Sequence, residues 1–284
     1  MTSIRQLLFI VIVTNAGGQG KTTLARVIKT LLELAEEPVQ LLDSDAGNAA
    51  AKVIDASAKK IGWGVDTIVA PEIVADCEGQ HVVLDLGANA LASAREIALL
   101  LPELCKLFAA AGYRNIAFLP VTPNKPGATE AVLHLADQLP AMDKIFVRND
   151  IDNSGQFEVL PANVNVVDLE HLAPGIMAYV NEGGLTFREA IQSPASDREK
   201  AARMIAKWLR NFASATARYG CFLKSGMRLQ AFPAPDGHVS FSIKTAAMAT
   251  DRALANNQQK SRVLALLNAH GWDAQGLRKA ADEL

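Results

Sequence analysis

The residues best placed to do chemistry lie in one short run, Thr14-Asn15-Ala16-Gly17-Gly18-Gln19-Gly20-Lys21-Thr22-Thr23. It stands directly after an apolar stretch and directly before an amphipathic one. Gly17, Gly18 and Gly20 let the backbone curl so that successive N–H groups point inward, a geometry that side chains obstruct. The start of a helix near Gly20 adds further backbone donors and a partial positive charge. Lys21 is placed to reach β and γ phosphates, Thr22 to ligate Mg²⁺ through its hydroxyl, and Thr23 closes the motif. The chemistry is that of a nucleoside triphosphate cradle, in which Asn15 occupies the position where the general pattern has glycine. Asparagine tolerates left-handed backbone better than most residues, so the cradle survives the exchange.

A phosphate loop also needs carboxylates. Asp85 ends the apolar run His81-Val82-Val83-Leu84, where a parallel sheet presents its ligand crevice, and is the candidate for holding Mg²⁺ directly or through a water. Asp43 and Asp45 leave the run VQLLD in the segment LLDSDAGN. Asp45 is the candidate for orienting an attacking water and Asp43 for the outer shell of the metal, although acids at a strand exit also serve as turn and cap residues.

The elements that must position these groups are legible as apolar runs at 7–13, 39–43, 81–86, 115–121, 144–149 and 163–169. Helical patterns fall between most of them. The first is marked by Leu24, Val27, Ile28, Leu31 and Leu32, and others cover about 93–111, 128–138 and 197–215. Strands alternating with helices predict an α/β fold, a mostly parallel sheet flanked by helices with the ligand at the carboxyl ends of the strands. The run Leu7 to Val13 is far shorter than the ~18 residues of a membrane span, and it reads as a buried parallel strand rather than a signal-peptide core.

The chain of 284 residues carries 28 basic and 30 acidic residues, net −2, so its overall charge points to neither nucleic acid nor an anionic membrane. Three cysteines, Cys77, Cys105 and Cys221, have neither disulfide nor zinc spacing, and a cytoplasmic setting is expected. The character changes near residue 216. From 217 onward there are nine basic and five acidic residues (+4), against 19 and 25 (−6) before it. Residues 227–243 read as a β-hairpin turning at Pro235-Asp236-Gly237, with helical patterns at 251–269 and 273–283. The expected division is a nucleotide-binding domain over 1–216 and a small hairpin and helical module over 217–284.

GGQGKTT, DSDAGN after the next strand and VVLDLGAN together resemble the ParA/MinD family of P-loop ATPases, in particular its relatives in plasmid partition and conjugation, over roughly residues 7–195. The resemblance implies ATP and Mg²⁺ as ligands, Asp45 serving hydrolysis, Asp85 serving the metal, and Asn149 reading adenine; no guanine-type NKxD motif is evident. It further implies a nucleotide-driven homodimer and a protein partner that acts as adaptor or activator. One departure stands out: the family's loop reads KGGxGK[ST], and Ala16 occupies the place of the first lysine, which in the family crosses the dimer to the partner's phosphates. Slow hydrolysis, or a different cation, is the consequence. Dethiobiotin synthetase-like ligases and metallochaperone GTPases also lack that lysine, and a silent nucleotide-binding regulator is the third reading. Lys200, Arg203, Lys207 and Arg210 lie opposite an apolar stripe of Met204, Ile205, Trp208 and Phe212. Such a basic stripe suits non-specific DNA contact, as in the family, or a solvated helix face, which is the favoured reading.

Overall fold

A computed structural model describes residues 6–14, 17–44, 55–61, 70–86, 94–123, 125–221, 228–233 and 239–244, with backbone alone at 94–99 and in the last two segments. In chain order the elements are β1 (Leu8–Ile12), α1 (Lys21–Leu34), β2 (Val39–Asp43), β3 (Lys59–Lys60), α2 (Ala70–Asp76), β4 (His81–Asp85), α3 (Ala94–Ala110), β5 (Arg114–Val121), α4 (Ala128–Gln138), β6 (Asp143–Asn149), β7 (Asn165–Leu169), α5 (Pro174–Glu182), α6 (Phe187–Gln192), α7 (Glu199–Ala217), β8 (Arg228–Pro233) and β9 (Val239–Lys244). Seven strands form one sheet in the order β3-β2-β4-β1-β5-β6-β7. Every neighbouring pair in it is parallel. The predicted α/β architecture is therefore the observed one. The hairpin also forms, with β8 and β9 pairing antiparallel from Arg228↔Lys244 to Pro233↔Val239; its Pro235-Asp236-Gly237 turn and the later helical patterns lie outside the described residues.

β1 reads as an unbroken apolar run because both of its faces are covered. Phe9 and Val11 join Val82, Leu84, Ala117 and Leu119 under α3 and α4, where Phe108 stacks on Phe9 with ring centroids 4.2 Å apart. Ile10 and Ile12 point the other way, with Leu41, Val83, Phe118 and Val147, against Leu24 and Ile28 of α1 and Leu209 and Phe212 of α7. Each of these buried side chains other than Ala117 contributes about 1.5–3 kcal/mol. α3 runs through Pro102, which removes one helical hydrogen bond; burial of Leu101, Leu104, Cys105 and Phe108 offsets that loss.

Both sheet edges are blunted. β3 is two exposed lysines long. On β7 the Val166 carbonyl accepts from the Tyr219 hydroxyl and the Arg218 guanidinium, and the Val166 N–H donates to the Tyr219 oxygen. The three cysteines are free and buried, and burial pushes the Cys77 thiol up to about 11 and those of Cys105 and Cys221 up to about 12. His81, also buried, accepts the Leu8 N–H on Nδ1 at 3.0 Å, a structural role. No described helix is long and apolar enough to cross a membrane.

α1 is held by charge as well as by its apolar face. The Lys29 ammonium lies 2.7 Å from Glu33 and 2.8 Å from Asp55. Burial opposes ionisation of Asp55, yet the Lys29 bond together with the Ser57 hydroxyl and N–H outweighs it and holds the carboxyl below its ordinary range. Lys29→Met leaves that carboxylate buried without its cation, and we expect chemical denaturation to record a loss of about 3 kcal/mol, most of it recovered in Lys29→Met/Asp55→Leu. Because the folded-state value of Asp55 is depressed, its contribution is complete above the ordinary carboxylate range and fades as pH falls through the folded-state value. The stability difference between wild type and double variant should therefore shrink on the acid side, and shrink again at strongly alkaline pH, where Lys29, whose folded-state value is raised by Asp55 and Glu33, gives up its proton.

Candidate functional site

Sheet register decides which of the candidate residues can meet. Asp43 pairs with Asp85, and Asp85 with Ile12, so the two carboxylates stand side by side on β2 and β4 next to the strand that feeds the glycine loop. Alternation puts Asp43 on the side of Leu41 and Asp85 on the side of Val83, the face covered by α1. Asn149, two residues after Val147, lies on the same face at the end of β6. All three side chains are buried. Ser44 ties the β2 and β4 ends together, its N–H and hydroxyl donating to the Asp85 carbonyl at 3.1 and 3.0 Å.

The loop itself has the conformation that its glycines permit. Gly18 and Gly20 both adopt left-handed backbone, with φ of 70° and 80°. Gly20 is the N-cap of α1 and no side chain caps that helix end. A helix start left to backbone donors, next to a left-handed turn, is an arrangement that accepts an anion. Lys21, the first residue of α1, is 7% exposed, while Thr22 and Thr23 are half-buried beside it. Gln19 is buried and its side-chain oxygen accepts the Thr14 hydroxyl, which fastens the middle of the loop to the strand end. Asn15, Ala16 and Asp45 lie outside the described residues.

Asn149 has a role that strand-end reasoning alone did not assign. Its amide nitrogen donates to the Gln19 carbonyl at 3.0 Å and fills the space that a Cβ on Gly20 would occupy. The residue thus supports the glycine loop from beneath, across β5 from β1.

Other residues that hold the elements around the loop carry no motif of their own. Arg26 is buried on α1, with its guanidinium bonded to Asn181 Oδ1 at 2.9 Å and the Leu185 carbonyl at 3.0 Å, and it lies 4.7 Å from the Phe187 ring centroid. Burial lowers its pKa to about 10, against the pull of Asp55. It pins the helix that carries Lys21 to the α5–α6 connection. On the opposite side of the loop, the Lys125 ammonium donates to the Gly17 carbonyl at 2.9 Å. Glu158 receives the N–H groups of Gly127 and Thr129 at 2.9 and 3.1 Å, and these bonds hold its carboxyl below the ordinary range.

A cavity of about 530 Å³ lies elsewhere, lined by Arg148, Phe157, Leu160, Val164, Asp168 and Arg218. Arg148 precedes Asn149 and so faces the other side of the sheet, paired with Asp168 at 2.6 and 2.9 Å. On α7, Lys200, Arg203 and Lys207 are exposed and Arg210 is half-buried; of the expected apolar stripe, Ile205, Trp208 and Phe212 are buried but Met204 is 43% exposed. Among the described residues there is no group of His, Cys, Asp and Glu able to hold a metal by itself. Thr22 in the first turn of α1 and the neighbouring Asp43 and Asp85 offer oxygen atoms only, a donor chemistry that suits Mg²⁺ rather than a thiolate- or imidazole-bound metal.

No protein-family model and no curated protein matches the sequence. Similar solved structures include the septum site-determining protein MinD from Pyrococcus horikoshii OT3 with Mg-ADP, 18% identical, covering 77% of this chain and 100% of that one, with a TM-score of 0.43. Others are apo McdA from Cyanthece, 13% identical, covering 72% and 100%, TM-score 0.41, and the MinC:MinD complex from Aquifex aeolicus, 14% identical, covering 73% and 96%, TM-score 0.43.

Proposed function

We infer that the chain is an ATP-binding, slowly hydrolysing molecular switch of the ParA/MinD type, acting in the partition or positioning of a plasmid or in its conjugation. What supports this reading above all is the meeting of three features on one face of the sheet: the left-handed glycines of the loop, Lys21 at the head of α1, and the adjacent carboxylates Asp43 and Asp85. A phosphate-bearing ligand needs donors, a cation and acids for a metal, and these residues supply each.

Lys21 and the loop N–H groups bind and orient the phosphates, Thr22 and Asp85 would hold Mg²⁺, and Asp43 would support it from the outer shell. When bound, Mg²⁺ neutralises charge that develops between the β and γ phosphates. Asp45 orients the attacking water. Asn149, already bonded to Gln19, retains a second amide hydrogen and its oxygen for the adenine edge. With Ala16 in the loop, hydrolysis is slow and awaits a protein partner, while the nucleotide state sets the conformation, or the homodimer, that this partner reads. The exposed lysines and arginine of α7 are available for non-specific DNA.

The test is titration calorimetry with Mg-ATP and Mg-ADP, joined to sedimentation with ADP, ATP and a non-hydrolysable analogue, with and without DNA. Binding with slow turnover supports the switch; binding with no turnover under any condition makes the chain a silent regulator; no heat with any purine triphosphate overturns the reading. Asp45→Ala should retain ATP affinity and lose about a hundredfold in phosphate release, because positioning of a water or a proton acceptor is worth that much or more. Equal release by variant and wild type would remove Asp45 from the mechanism.

A further inference from the structure

We propose that Lys125 is the second cation of the phosphate site, supplied to the loop by the β5–α4 connection of the same chain; the proposal rests on the triphosphate reading of that loop. Between Thr14 and Thr23 the loop contains one cation, Lys21. A triphosphate with a single Mg²⁺ carries more negative charge than one lysine offsets, so a further cation nearby has an electrostatic purpose. Lys125 is the described residue that brings one. Its ammonium sits 2.9 Å from the Gly17 carbonyl and would lie 3.6 Å from a Cβ on Gly18, in contact with the exposed glycine pair.

Two features separate this placement from that of an ordinary surface lysine. The first is charge. Among the described residues Lys125 has no carboxylate partner; its one bond from the ammonium is to a neutral carbonyl, which leaves two N–H donors for an anion. The second is anchoring. The Lys125 carbonyl accepts the Ala128 N–H at 3.0 Å, and the Glu158 carboxylate bonds the Gly127 and Thr129 N–H groups. The backbone that carries Lys125 is therefore fixed at the head of α4, and only its four-carbon stem moves. Rotation of that stem carries the ammonium from Gly17 towards the mouth of the loop, where the outermost phosphate is more accessible than the inner ones. Glu158 takes the donors of the α4 terminus for itself, so that helix end does not compete for the ligand.

The test compares wild type, Lys125→Met and Lys125→Arg by titration calorimetry with Mg-ATP and Mg-ADP. Lys125→Met keeps the length of the stem and removes the charge. Because a charge-assisted bond to the terminal phosphate is lost, ATP affinity should fall about tenfold while ADP affinity changes far less, and Lys125→Arg should restore most of the ATP affinity. Thermal unfolding without nucleotide should be unchanged, since Lys125 is only half-buried. The ATP effect should also not vary with protein concentration, because the lysine and the loop belong to one chain. Equal losses for ATP and ADP would make Lys125 a clamp on Gly17 and overturn the proposal, as would unchanged affinity for both. Absence of ATP binding by the wild type would instead overturn the triphosphate reading, and Lys125 as a phosphate ligand with it.

Discussion

Lys21→Ala should abolish ATP binding and leave the fold in place. Lys21 is the first residue of α1 and is almost fully buried at the point where the glycine loop becomes helix. On the proposed reading its ammonium would meet a bound phosphate there with little water to screen it, and truncating one partner of such a buried charged contact costs about 2–5 kcal/mol, a loss of at least about thirtyfold. The loss in this chain should lie at the upper end of that range. Ala16 brings no charge to the loop, and Lys125 approaches from its exposed side, bonded to Gly17, so neither replaces an ammonium at the helix start. Alanine is the best helix former and the apolar face of α1 begins at Leu24, so α1 should persist and the unfolding midpoint should be unchanged or slightly raised. The measurement is paired: calorimetry with Mg-ATP and thermal unfolding on the same sample. Wild-type affinity in a folded Lys21→Ala would remove the phosphates from the loop.

The strands that build the site were legible because their apolar runs are long and end in chemistry. The run at 39–43 matches β2, the run at 81–86 exceeds β4 by one residue, and the acids that close them are the ones the register brings together. β3 escaped because two lysines carry no apolar signal, and α2 because seven residues give too few turns for a periodicity to appear. Helical spacing places Met204 on the apolar stripe of α7; the buried part of that stripe is narrower, and Met204 lies at its rim. The deeper omission concerns the loop's supports. Lys125, just beyond the end of β5, carries no motif, and Asn149, which ends β6, is marked by the family resemblance for adenine and not for the loop. What they do depends on contacts across 108 and 130 residues of sequence, which no local pattern encodes.

Those supports give the two left-handed glycines different tolerances. Gly18→Ala meets only the far end of a flexible side chain, the Lys125 ammonium, 3.6 Å from the new Cβ. Its cost is the left-handed backbone alone, about 1–2 kcal/mol. Gly20→Ala incurs the same backbone cost, and in addition its Cβ overlaps the Asn149 amide, which is buried and committed to the Gln19 carbonyl. Overpacking of this kind adds about 1–3 kcal/mol, for a total near 3 kcal/mol, which a domain of ordinary stability survives at room temperature. The effect on ligand is larger. Relief of the overlap requires either that the loop rise off Asn149 or that Asn149 leave Gln19, and both displace the N–H groups at the head of α1. Gly20→Ala should therefore lose detectable ATP binding, whereas Gly18→Ala should bind weakly. Gly20→Ala/Asn149→Ala separates the two costs: removal of the amide should return part of the stability, because the two side chains share one space, but not the binding, because the φ of 80° at residue 20 remains forced on alanine. If the single and double variants are equally stable, Asn149 does not support the loop; if Gly20→Ala binds ATP as wild type does, the left-handed turn is not what presents the donors.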